Sequence, residues 1–195
     1  MAFVKIVLWS CLGAVLGYFA IQEFTVVTES FLIQKLIPAK RKDVFDLLIN
    51  PDYILKFHPL CVGITNVTTS HGRDGMKTVQ FVVTEKTAIS LGFFEINQNI
   101  TFPVNKTAIE ENAIIENRAL LMGGYFTLKQ RWKMADYTSG SGDKISSLED
   151  HFQVTSFRIL LRYSMKVAFG AHNTITENII QHFLKESKES NDKSG

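Results

Sequence analysis

Asp150 and His172 are the side chains in this 195-residue chain best suited to acid–base chemistry. Asp150 lies in ISSLEDHFQVT (145–155), where alternation puts it on one strand face with Leu148, Phe152 and Val154. His172 lies on a helical stripe with Leu161, Met165, Ala168, Ile175, Ile179 and Phe183. A carboxylate on a buried face is costly unless it is paired, and an inward histidine can supply the partner. Such a pair can anchor a ligand hydroxyl or carbonyl, or act as an acid–base couple in which Asp150 orients His172. Two plainer readings stay open: a β-bulge that turns Asp150 outward, and a histidine satisfied within the core. Gln98 and Gln130 fall on inward faces by the same alternation and join the candidate anchors.

Other chemistry is hard to find. The chain has no Gly-x-Ser-x-Gly elbow, phosphate-binding loop or dinucleotide fingerprint. No His-x-x-x-His or Cys-x-x-Cys spacing is present, so neither a metal nor a cofactor is expected. His58, before Pro59, reads as the cap of a short helix; His71 and His151 read as exposed, and His182 as lying at a helix edge. Cys11 lies in the N-terminal apolar segment and Cys61 is alone in the rest of the chain, which excludes an intradomain disulfide. A net charge of +2 argues against a nucleic-acid surface. Lys129, Arg131 and Lys133 form a short basic stripe, read as a solvated strand face or one turned to anionic headgroups.

The elements that must position these residues follow from period and punctuation. Thr25–Ile37 reads as a strand ended by Pro38, and Asn50-Pro51 and His58-Pro59 bound two short helices. Six strands follow, over 61–69, 76–87, 93–104, 113–122, 125–134 and 145–155, with turns at 70–75 and Gly123-Gly124 and a polar hairpin loop over 135–144. From about Ser156 the period becomes helical, and 185–195 reads as a frayed polar tail. With 46% apolar residues and 15 Phe, a sizeable core is available.

Ala2–Ile21 is apolar apart from Lys5, Ser10 and Tyr18. It is long enough for a single membrane span, with a cleaved signal peptide as the other reading. Residues 1–22 are therefore expected to be a signal-anchor or signal peptide, in a membrane of the endoplasmic reticulum or secretory pathway. The sequons at Asn66, Asn99 and Asn105 would be glycosylated only on the lumenal side.

The run Ile37-Pro38-Ala39, Val44-Phe45-Asp46-Leu47-Leu48, Asn50-Pro51 and His58-Pro59, followed by strands and one long helix, resembles the START-like (Bet v 1-like) superfamily of polyketide cyclase/dehydrase and lipid-transport domains. The resemblance covers about 25–187, with 188–195 as tail. It implies an α+β helix-grip fold, a curved antiparallel sheet wrapped around the C-terminal helix. It also implies a cavity for a lipid, sterol, polyketide or similar apolar molecule. The cavity would be lined by Phe81, Phe94, Ile96, Ile100, Phe102, Phe126, Leu128, Trp132, Phe152, Met165, Ala168 and Ile175, with Gln98, Gln130, Asp150 and His172 as polar anchors. The same apolar residues would equally fill an ordinary core. Tyr53, Ile54, Phe57 and Leu60 would form the gate, close to the membrane. The implied partners are an apolar ligand and a membrane, and the implied role is sequestering or transferring that ligand. A cyclase or dehydratase in the same cavity, and an interaction domain without ligand, are the competing functions.

Overall fold

Pro38 stops the first strand, β1 (Val26–Ile37), because it has no N–H to continue a ladder. Ala39 N–H closes back on Ile37 O at 2.8 Å, turning the chain into α2 (Arg41–Ile49), which buries Val44, Phe45 and Leu48. Asn50 is extended, and its side chain accepts the Asp52 N–H at 2.9 Å, starting α3 (Asp52–Phe57). His58 caps α3: its N–H donates to Ile54 O, and its Nδ1 accepts the Leu60 N–H at 3.2 Å. The N-terminal helix preceding these elements is α1 (Ala2–Glu23).

This computed structural model describes residues 2–72, 76–91, 94–109, 113–138 and 144–192, with side chains over 9–19, 21–72, 76–88, 97–109, 113–138 and 145–189. The rest of the expected turn at 70–75 and hairpin loop at 135–144 lies outside the described residues.

Six further strands follow: β2 (Cys61–His71), β3 (Lys77–Leu91), β4 (Phe94–Ile109), β5 (Ile114–Leu121), β6 (Phe126–Thr138) and β7 (Lys144–Phe157). With β1 they form one antiparallel seven-stranded sheet in the order β1-β7-β6-β5-β4-β3-β2. Between β5 and β6 the chain turns through Gly123 and Gly124 at φ 67° and 97°, angles that glycine adopts without a Cβ penalty. Helix α4 (Arg158–Asp192) then crosses the sheet and packs chiefly on β1, β7 and α3.

Two extents differ from expectation, with consequences. β4 runs on past Val104 to Ile109, so Lys106 and Ala108 join the inward face. The tail expected to fray from Lys185 is helical through Asp192. Lys and Glu are good helix formers, and His182 pairs with Glu186 one turn on, at 3.3 Å.

The core is divided into three clusters. One joins α2, α3 and the second half of α4 to Trp132, Met134 and Leu148. A second lies on β2–β5 around Val79, Phe81, Val83, Phe102 and Val104. A third joins Phe152 and Val154 to Leu161. Domains of this size more often have one contiguous core.

The expected membrane span finds no support in the structure. Among the described residues no helix is long and apolar enough to cross a membrane. The described side chains of α1 are those of 9–19 and 21–23. Along that stretch Trp9, Leu12, Val15, Leu16, Tyr18, Phe19 and Ile21 are exposed. The placement of the gate beside this segment is corrected. β1 separates α1 from α2 by about 40 Å of extended chain. α1 meets α4 at Arg162 through Glu23, whereas α3 meets it at Asn178, which donates to Phe57 O at 2.9 Å.

Candidate functional site

Strand register, rather than sequence proximity, assembles the polar interior. One inward row runs across six strands as Val79, Lys106, Asn117, Gln130, Phe152 and Phe31. The next row is Ala108, Ile115, Trp132, Asp150 and Ile33. Amphipathic strands thus deliver Lys106, Asn117, Gln130 and Asp150 to neighbouring positions on a largely apolar face.

Asp150 is fully buried, and the β6–β7 ladder passes it without a bulge. His172 reaches it from α4, with Nδ1 2.6 Å from Asp150 Oδ2. Gln130 Nε2 donates to Asp150 Oδ1 at 3.0 Å, and Gln130 Oε1 accepts from Asn117 Nδ2 at 2.8 Å. This chain fixes the amide orientations and assigns the proton to His172 Nδ1, facing the carboxylate. The 3.1 Å approach of Gln130 Nε2 to His172 Nδ1 is then a contact between two donors, not a bond. His172 Nε2 has no hydrogen-bond partner among the described residues, and in a neutral imidazole it would carry the lone pair. Phe152 and Phe31 hold the imidazole, with ring centroids 4.2 and 5.5 Å away.

Sequence reading missed two more inward charges. Lys106 is fully buried on β4, and its Nζ donates to Leu48 O at 2.7 Å. The Tyr53, Phe81 and Trp132 rings surround this ammonium, with centroids 5.4, 5.6 and 5.7 Å away. Burial lowers its pKa to about 7. The polar atoms of two of these rings, the Tyr53 hydroxyl and Trp132 Nε1, are buried without a partner among the described residues. Burial, then the Asp150 charge, raises the Tyr53 phenol well above its ordinary value. The second missed charge is Glu85, inward with Phe81 and Val83, 3.5 Å from His58 Nε2. Burial raises Glu85 to about 7 against the opposing His172 charge, and lowers His58 to about 4 with that same charge assisting. The Leu60 N–H takes His58 Nδ1, so neutral His58 turns its N–H toward Glu85.

Of the expected lining, Phe81, Phe102, Trp132, Phe152 and Ile175 are buried and inward. Ile100, Phe126, Leu128, Met165 and Ala168 are half-buried. Phe94 and Ile96 lie outside the described side chains. Gln98 is a correction: it is exposed. β5 pairs with β4 only from Val104 to Ile109, so 97–99 lie on a β3–β4 ribbon that extends beyond the β5 pairing. Of the expected gate, Tyr53 and Phe57 are core residues, and Ile54 is half-buried between two clusters. Leu60 lines a cleft of about 430 Å³ with Pro59 and the Tyr163, Val167 and Ala171 side of α4. Asn66, Asn99 and Asn105 are all exposed. Among the described residues no cluster has the makeup of a metal site.

Because α4 packs chiefly on β1 and β7, several apolar groups facing it from the sheet retain accessible surface: Ile64, Ile100, Leu121 and Leu128 are half-buried. The polar set lies among them, an arrangement suited to an apolar guest with a polar group.

No family model and no curated protein matches the chain. Solved structures do match it in fold. The chain is similar to TTHA0849 from Thermus thermophilus, at 13% identity and TM-score 0.54 over 82% of this chain and 99% of that one. It is similar to the Zhui aromatase/cyclase from Streptomyces sp. R1128, at 11% identity and TM-score 0.54 over 78% and 94%. It is also similar to the di-domain aromatase/cyclase StfQ of the steffimycin biosynthetic pathway, at 8% identity and TM-score 0.58. That match covers 83% of this chain and 52% of StfQ, so this chain spans about half of the di-domain protein.

Proposed function

For a chain with the START-like helix-grip fold, we propose binding of an apolar small molecule between the sheet and α4, with its polar group held by the Asp150–His172–Gln130 set. The observation that carries this reading is His172 Nε2. Its imidazole is fixed by Asp150 at 2.6 Å and by two phenylalanine rings, yet Nε2 has no partner among the described residues. A ligand hydroxyl donating to that lone pair would complete the set. The half-buried Ile100, Phe126, Leu128 and Met165 supply apolar surface around it. The names of two structural neighbours, both aromatase/cyclases, favour a pocket of this kind. Extraction of the full chain, purified from its own type of cell, tests the proposal. A stoichiometric lipid, sterol or polyketide-like compound in the organic phase is expected; a protein that yields none and takes up none on incubation contradicts it.

A second reading uses the same geometry for chemistry. With Nδ1–H held by Asp150, Nε2 is placed to take a proton from an acidic carbon or hydroxyl of a bound ketone, as a cyclase or dehydratase requires. The test is solvent deuterium exchange into a bound ketone. Exchange that disappears in His172→Gln while binding persists supports the reading; equal exchange in both proteins ends it.

We also propose that α1 holds the domain to a membrane of the endoplasmic reticulum or secretory pathway. Its exposed Trp9, Leu12, Leu16 and Phe19 support this, as apolar surface of that extent on one helix is usually covered. At a membrane the domain would sequester or transfer its ligand. The full chain is expected to stay with membranes in carbonate and to shift on endoglycosidase treatment. Release by carbonate counts against α1 as an anchor.

A further inference from the structure

We propose that the ligand of this interior carries a carboxylate, and that Lys106, with the Tyr53 hydroxyl and Trp132 Nε1, is the site that receives it. This rests on the ligand-binding reading above and names the ligand's chemical class.

Donor hydrogens outnumber acceptors around Lys106. An ammonium has three N–H bonds, and Leu48 O takes one from Lys106. Two hydrogens remain, joined by those of the Tyr53 hydroxyl and Trp132 Nε1, both buried and unpartnered among the described residues. Against these four hydrogens stands one unpartnered acceptor on the adjoining strand, Asn117 Oδ1. The interior carboxylates are engaged elsewhere: Asp150 with Gln130 and His172, and Glu85 against His58. Lys106 therefore has no carboxylate in ion-pair range among the described residues.

A carboxylate brings a negative charge and about four acceptor sites with no hydrogen of its own. An alcohol brings a further donor and no charge. Three donors from β4, α3 and β6, in a place sheltered from water, are matched by the first and not the second. The site is also held in advance: the Lys106 head is tied to a carbonyl in the last turn of α2, whose negative end favours a cation.

Burial holds Lys106 near 7, and a bound carboxylate would restore its charge. Acid binding above pH 7 would then take up a proton, and acid affinity would fall as pH rises. The other titratable groups of this interior are Tyr53 on α3, His58 at the end of α3, Cys61 on β2, Glu85 on β3, Asp150 on β7 and His172 on α4. Tyr53 stays protonated throughout that range.

The experiment measures binding of 9-anthracenecarboxylic acid against 9-anthracenemethanol, and of oleic acid against oleyl alcohol, to the full chain and to Lys106→Met at pH 6 to 9. The acids are expected to bind at least about tenfold tighter than their alcohols at pH 6, with the gap closing toward pH 9. Lys106→Met is expected to lose the preference, binding each acid and its alcohol about equally at every pH. Equal binding of acid and alcohol by the wild type, or a preference that survives in Lys106→Met, overturns the carboxylate site and leaves the ligand-binding reading standing. Binding of neither acid nor alcohol removes both. If the variant binds nothing, the wild-type pH profile decides, and a gap that does not close overturns the inference.

Discussion

Around Asp150 the polar atoms answer one another: Asn117 donates to Gln130, Gln130 to Asp150, and His172 to Asp150. Around Lys106, on the same face, only the ammonium has an acceptor, Leu48 O, and the Tyr53 hydroxyl and Trp132 Nε1 have none among the described residues. Both clusters come from the same device, a polar residue on an inward strand position, and register places them in adjacent rows. The difference is in what each has left over. The Asp150 cluster is largely self-sufficient and presents one oriented lone pair. The Lys106 cluster is a surplus of donor hydrogens, and its ammonium faces one carbonyl and three aromatic rings but no carboxylate among the described residues. A buried polar group without a partner costs about 1–3 kcal/mol, so the second cluster is tolerated at a loss that an occupant would recover.

Breaking the self-sufficient cluster has the largest expected effect. His172→Ala leaves Asp150 buried with Gln130 alone, and should cost about 3–5 kcal/mol in urea unfolding. A loss below about 1 kcal/mol would mean that the two clusters do not differ as described. Lys106→Met is the converse test. The Lys106 pKa is lowered in the folded protein, so its stability contribution is full above the unfolded value of about 10.5 and is lost as pH falls through about 7. Wild-type stability should therefore rise between pH 7 and 8.5, by up to about 1.4 kcal/mol per pH unit, and Lys106→Met should lack that rise. Identical slopes would contradict a buried, uncompensated lysine.

Glu85 sharpens the comparison with the opposite sign. Its pKa is raised from 4.5 to about 7, so its contribution is full below 4.5 and is lost as pH rises through 7. Glu85→Gln should remove a decline in stability between pH 5 and 7 that the wild type shows. Its window is narrower than that of Lys106, and so is the expected change. The smallest effect belongs outside both clusters. Lys35→Ala breaks the partly exposed pair with Glu177, and should shift stability by less than about 1 kcal/mol. A larger loss there would show that surface pairs rival the interior ones.

Much of the frame was legible because proline and side-chain period leave marks in sequence. Pro38, Pro51 and Pro59 bound elements where expected, alternation turned Asp150 inward, and the helical period put His172 on the buried stripe of α4. Their 2.6 Å contact was legible only as a need, since Asp150 required a partner that the sequence could not locate. Lys106 escaped notice because Asn105-Lys106-Thr107 looks like the start of a polar loop, whereas β4 continues to Ile109. Glu85 had the parity of Phe81 and Val83, and its charge hid it. Gln98 failed for the reverse reason: alternation defines a face, but burial needs something to cover it, and the β3–β4 ribbon extends past the β5 pairing there. How much of the sheet α4 covers leaves no mark at all, because it depends on the packing of the helix chiefly on β1 and β7.

The proposal on which the rest depends is that a guest binds between the sheet and α4. Native mass spectrometry of the full chain, compared with the same sample under denaturing conditions, is the decisive measurement. A discrete noncovalent adduct is expected at one per chain that disappears on denaturation and returns with an added apolar acid. A single bare mass in both conditions, unchanged by any added acid or alcohol, would contradict it.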